Sequence, residues 1–284
     1  MKYSSIDAIV LDMDGVLWRG GDPLDGMTEM FDWLRETETP FALATNNSSR
    51  TQADYVAKLT KLGVDWVTEE HIVTSATATA AYLQQDYPAG TPVHVFGMDG
   101  LRHILTEAGF DTSDEIDGRP EVVVAGIDFE MSYEKLKQAA LYIRAGAVFI
   151  GTNPDKTFPA PEGLVPGAGS MIAALETATD QTATIIGKPA QPMFDAALQV
   201  TDTLPERTLM VGDRLNTDIE GAQAIGMQTA LVFTGVTTSR DLSNPDNTTW
   251  PDVAYEGLPE LLKAWAGFDW YNARIKAKRK RTQR

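Results

Sequence analysis

Short apolar runs alternate with amphipathic segments along most of the chain. The runs "AIVLD" (8–12), "FALATNN" (41–47), "VHVFG" (93–97), "EVVVAGID" (121–128), "AVFIGTN" (147–153), "ATIIGK" (183–188), "TLMVGD" (208–213) and "TALVFTG" (229–235) are rich in Val and Ile. Each is closed by Gly, Asn, Asp or Lys, so they read as buried strands. Between them, "GMTEMFDWLRET", "RTQADYVAKLTKLG", "SYEKLKQAALYIRAG" and "PMFDAALQV" carry helical periodicity. Strands and helices in alternation predict an α/β protein with mainly parallel sheets. In such sheets ligands sit beyond the carboxyl ends of the strands.

The middle of the chain, residues 86–183, has strands and helices of its own and is expected to form a second domain. Boundaries fall near "QQDYPAGTP" and "ETATDQT". Within it, "NPDKTFPAPEGLVPGAGS" reads as a Pro/Gly-rich loop, with the glycines of "PGAGS" supplying turn or hinge geometry through φ > 0.

Composition narrows the classes. The chain has 284 residues and no cysteine, which excludes disulfides, thiolate nucleophiles and cysteine zinc sites. No stretch has the ~20 apolar residues of a membrane span, and "MKYSSID" runs into a strand without a signal-peptide core. A cytoplasmic, soluble protein is expected. The net charge is −16, yet the end "ARIKAKRKRTQR" holds seven basic residues and no acid. Without those seven, 17 basic residues face 40 acidic ones, a body that repels nucleic acid and anionic membrane. The tail, 271–284, reads as a solvated, disordered end; the alternative is contact with an acidic partner or the neighbouring subunit of a homodimer.

Four strand ends carry polar groups that packing does not call for. They hold Asp12 and Asp14; Thr45, Asn46 and Asn47; Lys188; and Asp213 and Asp218. Singly, each is an ordinary turn, cap or loop. Together they suit one chemistry. Carboxylates gathered at one edge need a cation, and an all-oxygen set suits Mg²⁺. A lysine and a hydroxyl at the same edge hold an anion. A hard cation beside anion-binding donors serves phosphate-ester chemistry, in which Asp can act as a covalent nucleophile.

In this order the motifs resemble those of the haloacid dehalogenase superfamily: Asp-x-Asp, Thr/Ser, Lys and an acidic pair. "DMDGVLWRG", "ATNNSSR", "GTNPDKTFP", "PGAGS", "IIGKP" and "VGDRLNTDI" are similar to the class IIA, NagD-like branch related to p-nitrophenyl phosphatases. The resemblance spans roughly residues 6–235 and leaves the basic tail outside. It implies a doubly wound, Rossmann-like parallel-sheet core from 1–85 plus 184–270, with an inserted α/β cap at 86–183. It implies an Mg²⁺-dependent phosphatase acting on a small phosphorylated metabolite through an aspartyl-phosphate. Asp12 would be the nucleophile and Asp14 the general acid and base. Thr45, the backbone around Asn46, and Lys188 would hold the phosphoryl oxygens. Asp12, the Asp14 carbonyl oxygen and Asp213 would bind the metal, with Asp218 orienting them. Asn153, Asp155 and Phe158 would read the substrate from the cap.

Two alternatives compete. A phosphomutase-like relative shares Asp-x-Asp and Mg²⁺ but carries a small helical cap after its first motif, for which 15–40 leaves little room. A non-enzymatic phospho-acceptor module is far shorter and has no use for Asp14. A dehalogenase would lack Asp14, and the Gly-x₄-Gly-Lys-Ser/Thr of a P-loop kinase is absent. His71, His94 and His103 lie outside every motif and read as structural.

Overall fold

The structure, a computed structural model, describes residues 3–113, 119–160, 163–267 and 270–275; at 158–160 it describes the backbone alone. The chain forms two compact units. One comprises Met1–Ala44, Val56–Ile72 and Ala197–Arg284; the other comprises Thr45–Tyr55 and Val73–Ala196.

The first unit is built on a sheet of β1 (Ala8–Leu11), β4 (Phe41–Thr45), β5 (Ile72–Thr74), β12 (Thr208–Gly212), β13 (Gln228–Val232) and β14 (Val253–Tyr255), in the order β14-β13-β12-β1-β4-β5, with the last residues of β4 and β5 (Thr45, Val73 and Thr74) counted in the second unit. A small hairpin, β2 (Trp18–Arg19) with β3 (Asp22–Pro23), follows β1. β1 lies parallel between β12 and β4, with Val10 opposite Met210 on one side and Ala42 on the other. All four residues of β1 are buried. Such central strands must be apolar on both faces, which is why they read as unbroken apolar runs. From β1 the chain moves outward to β4 and β5 on one side, and later to β12, β13 and β14 on the other. The order therefore reverses between β1 and β12, and that switch point is where ligands enter sheets of this kind.

Helices cover the sheet with amphipathic faces. α1 (Met27–Thr37) buries Met27, Met30, Phe31, Trp33 and Leu34, and α10 (Leu258–Trp265) buries Leu258, Leu261 and Leu262. Fully burying side chains of this size contributes ~1.5–3 kcal/mol each. Residues 270–275 are helical, with Tyr271 buried and Arg274 paired with Glu36. The basic tail thus has an ordered, anchored start, while its expected disorder at 276–284 lies outside the described residues. Among the described residues no helix is long and apolar enough to cross a membrane.

At the amino ends of β1 and β12, the Asp7 N–H donates to the Arg207 carbonyl (2.8 Å), and Arg207 Nη2 donates to Asp7 Oδ1 (2.7 Å). Hydrogen bonding from Arg207, with its positive charge, holds the Asp7 carboxyl below the usual carboxylate range. The stabilisation is complete above the unfolded value of ~3.9 and is lost as the pH falls through the lower folded value. Asp7→Asn should therefore be slightly less stable than the parent at pH 7. Urea unfolding should show the gap narrowing as the pH is taken toward ~3; a constant gap would mean the ion pair is not its source.

The second unit holds a parallel sheet of β6 (Val93–Phe96), β7 (Val122–Ala125), β8 (Val148–Gly151) and β11 (Thr184–Ile185), in the order β11-β8-β7-β6. α5 (Tyr133–Arg144) and α6 (Ala168–Thr179) close a core that includes Phe96, Val123, Ile143, Phe149, Met171 and Leu175. The segment expected to be a loop instead contains an antiparallel hairpin, β9 (Thr157–Ala160) with β10 (Gly163–Pro166). Segments 45–55, 73–85 and 184–196, which lie in the expected core, pack with this unit.

Candidate active site

The first strand leads the chain straight into its acids. Asp12 continues the β1–β12 pairing, its N–H donating to the Val211 carbonyl (2.8 Å). The chain then turns tightly: the Met13 carbonyl accepts from the N–H groups of Val16, Leu17 and Trp18. Gly15 stands at φ +90°, and a Cβ there would lie 2.6 Å from Asp213 Oδ2. Both the backbone conformation and the space demand glycine.

Asp213 directly follows β12, across the switch point from Asp12. Its Oδ2 accepts the Val236 N–H (2.6 Å), and its carbonyl accepts the Thr237 N–H (3.0 Å). Gly235 passes so close that an added Cβ would sit 1.9 Å from Asp213 Oδ2. Asp218 lies on a π-helical turn, Leu215–Ile219, and its Oδ2 accepts the Arg214 N–H (3.0 Å). Asp12, Asp213 and Asp218 each place one carboxylate oxygen within 4.8 Å of the others, and all three are largely buried. Two like unit charges about 5 Å apart repel by roughly 3 kcal/mol at an effective dielectric of ~20. A trio of oxygen donors at this spacing fits a hard divalent cation, which removes that repulsion. Asp218, expected only to orient the set, stands within it. The Asp14 side chain is not in the trio. It is exposed, and its Oδ1 accepts the Trp18 indole N–H (3.0 Å).

In the second unit the expected phosphate-binding residues belong to a dense polar network. Thr45 ends β4, and its Oγ1 accepts the Asn47 N–H (3.2 Å). Asn46 is the hub. Its carbonyl accepts from Ser75 Oγ and from Asn153 Nδ2, both at 2.6 Å. Its Nδ2 donates to the Lys188 carbonyl (2.9 Å) and to Asp155 Oδ2 (3.1 Å). Asn153 Oδ1 in turn accepts the Asp155 N–H (3.1 Å). Asn153 and Lys188 are buried. Asn153 Nδ2 and Asp155 Oδ2, on residues expected to face a substrate, are thus engaged with Asn46. Phe158 lies on β9, but its side chain is outside the described residues. "PGAGS" departs from expectation in its physical cause. Gly167 has φ −93° rather than a positive φ, and its need is space: a Cβ would lie 2.4 Å from the Asp155 carbonyl oxygen.

Sequence reasoning missed Trp18, the Val236 N–H and the bridging Asn46 side chain. Trp18 sits in an apolar run and gives no signal beyond core packing. A backbone N–H has no residue-type signature. Asn46 is expected from the sequence to act through its backbone, and nothing in the residue type shows that its side chain bridges the Lys188 carbonyl and Asp155.

A model of haloacid dehalogenase-like hydrolases matches residues 9–111, and a HAD-hydrolase-like model matches 185–261. The acid sugar phosphatase of Staphylococcus haemolyticus is 38% identical over 88% of this chain and 92% of its own length. The 4-nitrophenylphosphatase of Thermotoga maritima superposes with a TM-score of 0.86 at 36% identity, covering 93% of this chain and 98% of that one. The glycerol phosphate phosphatase of Mycobacterium tuberculosis, solved with magnesium, gives 0.83 at 34% identity, covering 91% of this chain and 77% of its own. It has also been solved with calcium. By sequence and fold, the chain belongs to the haloacid dehalogenase-like hydrolases, on the NagD-like branch with these phosphatases.

Proposed function

We propose that this protein hydrolyses small phosphate monoesters through a phosphorylated aspartate with the help of Mg²⁺. The observation that carries the reading is the carboxylate trio at the switch point, with Asp12 at the carboxyl end of the central strand. The names of the relatives, which act on sugar phosphates, 4-nitrophenyl phosphate and glycerol phosphate, support a small phosphomonoester. The acidic body favours a metabolite over nucleic acid or a membrane surface.

Asp12 and Asp213, with the Asp14 carbonyl, would hold the metal, and Asp218, whose carboxylate stands in the same cluster and is tied to the Arg214 N–H, would keep them oriented. A bound divalent cation supplies charge neutralisation for the carboxylates and the phosphoryl oxygens. Asp12 attacks phosphorus, the ester P–O bond breaks, and the leaving oxygen takes the Asp14 proton as the alcohol departs. Asp14, now a carboxylate, accepts a proton from water as the water oxygen attacks phosphorus. The Asp12–phosphorus bond breaks, releasing inorganic phosphate and restoring both residues. Thr45, the backbone around Asn46, and Lys188 hold the phosphoryl oxygens. The inserted segment 86–183 acts as the cap that excludes water and reads the leaving group. Asn153 and Asp155 serve this chiefly by fixing their loop to Asn46.

Phosphate release from p-nitrophenyl phosphate, glycerol phosphate and a panel of sugar phosphates tests the reading. Turnover of p-nitrophenyl phosphate and of at least one sugar or polyol phosphate is expected. Absence of turnover across the panel with Mg²⁺ present would refute it.

A further inference from the structure

Asp14 is exposed, yet its carboxyl group is not free to rotate. The Trp18 indole N–H donates to its Oδ1 at 3.0 Å, and the two residues also form a backbone bridge. Trp18 is fully buried. Its ring is covered by Lys58 from α2 (Gln52–Lys61), whose Nζ lies 3.8 Å from the ring centroid and donates to the Gly20 carbonyl (2.9 Å). The β2–β3 hairpin that carries Trp18 is tied down as well. Arg19 Nη2 donates to the Thr234 carbonyl (2.7 Å), and Thr234 Oγ1 donates to the Gly15 carbonyl (2.6 Å).

An indole N–H can only donate. The oxygen it faces must accept, so a proton carried by the Asp14 carboxyl resides on the other oxygen, Oδ2. A cation over the ring face is attracted by the ring quadrupole and holds the indole in one orientation. We propose that Trp18 and Lys58 are positioning residues for proton transfer: the indole reserves Oδ1, Lys58 fixes the indole, and Oδ2 alone delivers the proton. This rests on reading Asp14 as the general acid.

The readout is leaving-group dependence. An alkyl ester such as glycerol phosphate needs its departing oxygen protonated, whereas p-nitrophenolate leaves readily without help. Trp18→Phe keeps an aromatic six-membered ring and removes the N–H together with the pyrrole ring that bears it. It is expected to lower kcat/KM for the alkyl ester about 10–100-fold and for p-nitrophenyl phosphate less than about threefold, since misplacing a proton donor forfeits part of its ~10²–10⁴-fold effect. Lys58→Met keeps the stem and removes the charge, and should shift the same ratio about 3–10-fold. Damage to folding would slow both esters equally.

Asp14→Asn, run in parallel, separates the two claims. If it lowers kcat/KM, which covers the steps through alcohol release and not the later attack of water that Asp14 also assists, by the same factor for both esters, the general-acid reading fails. If it is selective for the alkyl ester while Trp18→Phe and Lys58→Met leave the ratio unchanged, the positioning proposal alone is overturned. Should Trp18→Phe not fold, Lys58→Met decides: an unchanged ratio overturns the proposal.

Discussion

Asp12→Asn is expected to reduce phosphate-ester turnover by more than ~10⁴-fold, beyond the ~10²–10⁴-fold typical of losing a general acid or base. The change is nearly isosteric, and Asp12 sits where the β1 backbone is already fixed by its bond to Val211. Shape and fold should survive, and circular dichroism and thermal unfolding should resemble those of the parent. The lost function is specific: an amide has no anionic oxygen to attack phosphorus. Acid quenching of the parent during turnover should trap phosphate on Asp12, and the variant should trap none. Phosphate recovered on any other residue of the active parent would remove Asp12 from the nucleophile's role.

Much of this was legible in the sequence, for a physical reason. The central strands are apolar on both faces, so a carboxylate at their ends serves no packing purpose. That is why Asp12 and Asp213 stand out at the ends of β1 and β12, and why the eight strongest apolar runs all form strands; Lys188 follows β11, a two-residue edge strand, and stands out through its place among the motifs. The elements that escaped notice are those where the same logic is silent. β5 (Ile72–Thr74) and β14 (Val253–Tyr255) have only three residues each, and β14 is an incompletely buried edge strand. The β9–β10 hairpin contains Pro159 and Pro166, which argue against a strand in a larger sheet but are tolerated in a two-stranded ribbon. In the site, residue type pointed to function only where that type is costly. A buried Trp is ordinary, so the donor role of Trp18 was hidden. Asn153 and Asp155 looked like substrate contacts because their polarity was visible and their partners were not.

Stripping divalent ions with EDTA should abolish turnover, and added Mg²⁺ should restore it. The sharper test is Gly235→Ala. The added methyl would be built 1.9 Å from Asp213 Oδ2 and 2.4 Å from its Cγ, distances that force the carboxylate or the loop to move. The same Oδ2 is held by the Val236 N–H, one residue away, so the displaced loop also carries off the hydrogen bond that orients it. Losing an orienting contact of this kind typically costs 10–100-fold in metal affinity. The Mg²⁺ concentration giving half-maximal rate should therefore rise about 10–100-fold. The rate at saturating Mg²⁺ should fall far less, because Asp12 and Asp14 lie on a different loop. Thermal shift should agree: Mg²⁺ should raise the melting temperature of the parent at concentrations that leave the variant unaffected. If the variant needs no more Mg²⁺ than the parent, Asp213 is not a ligand whose placement depends on Gly235. If EDTA leaves the parent fully active, the trio is not a metal site, and its mutual repulsion must be relieved by the protein alone.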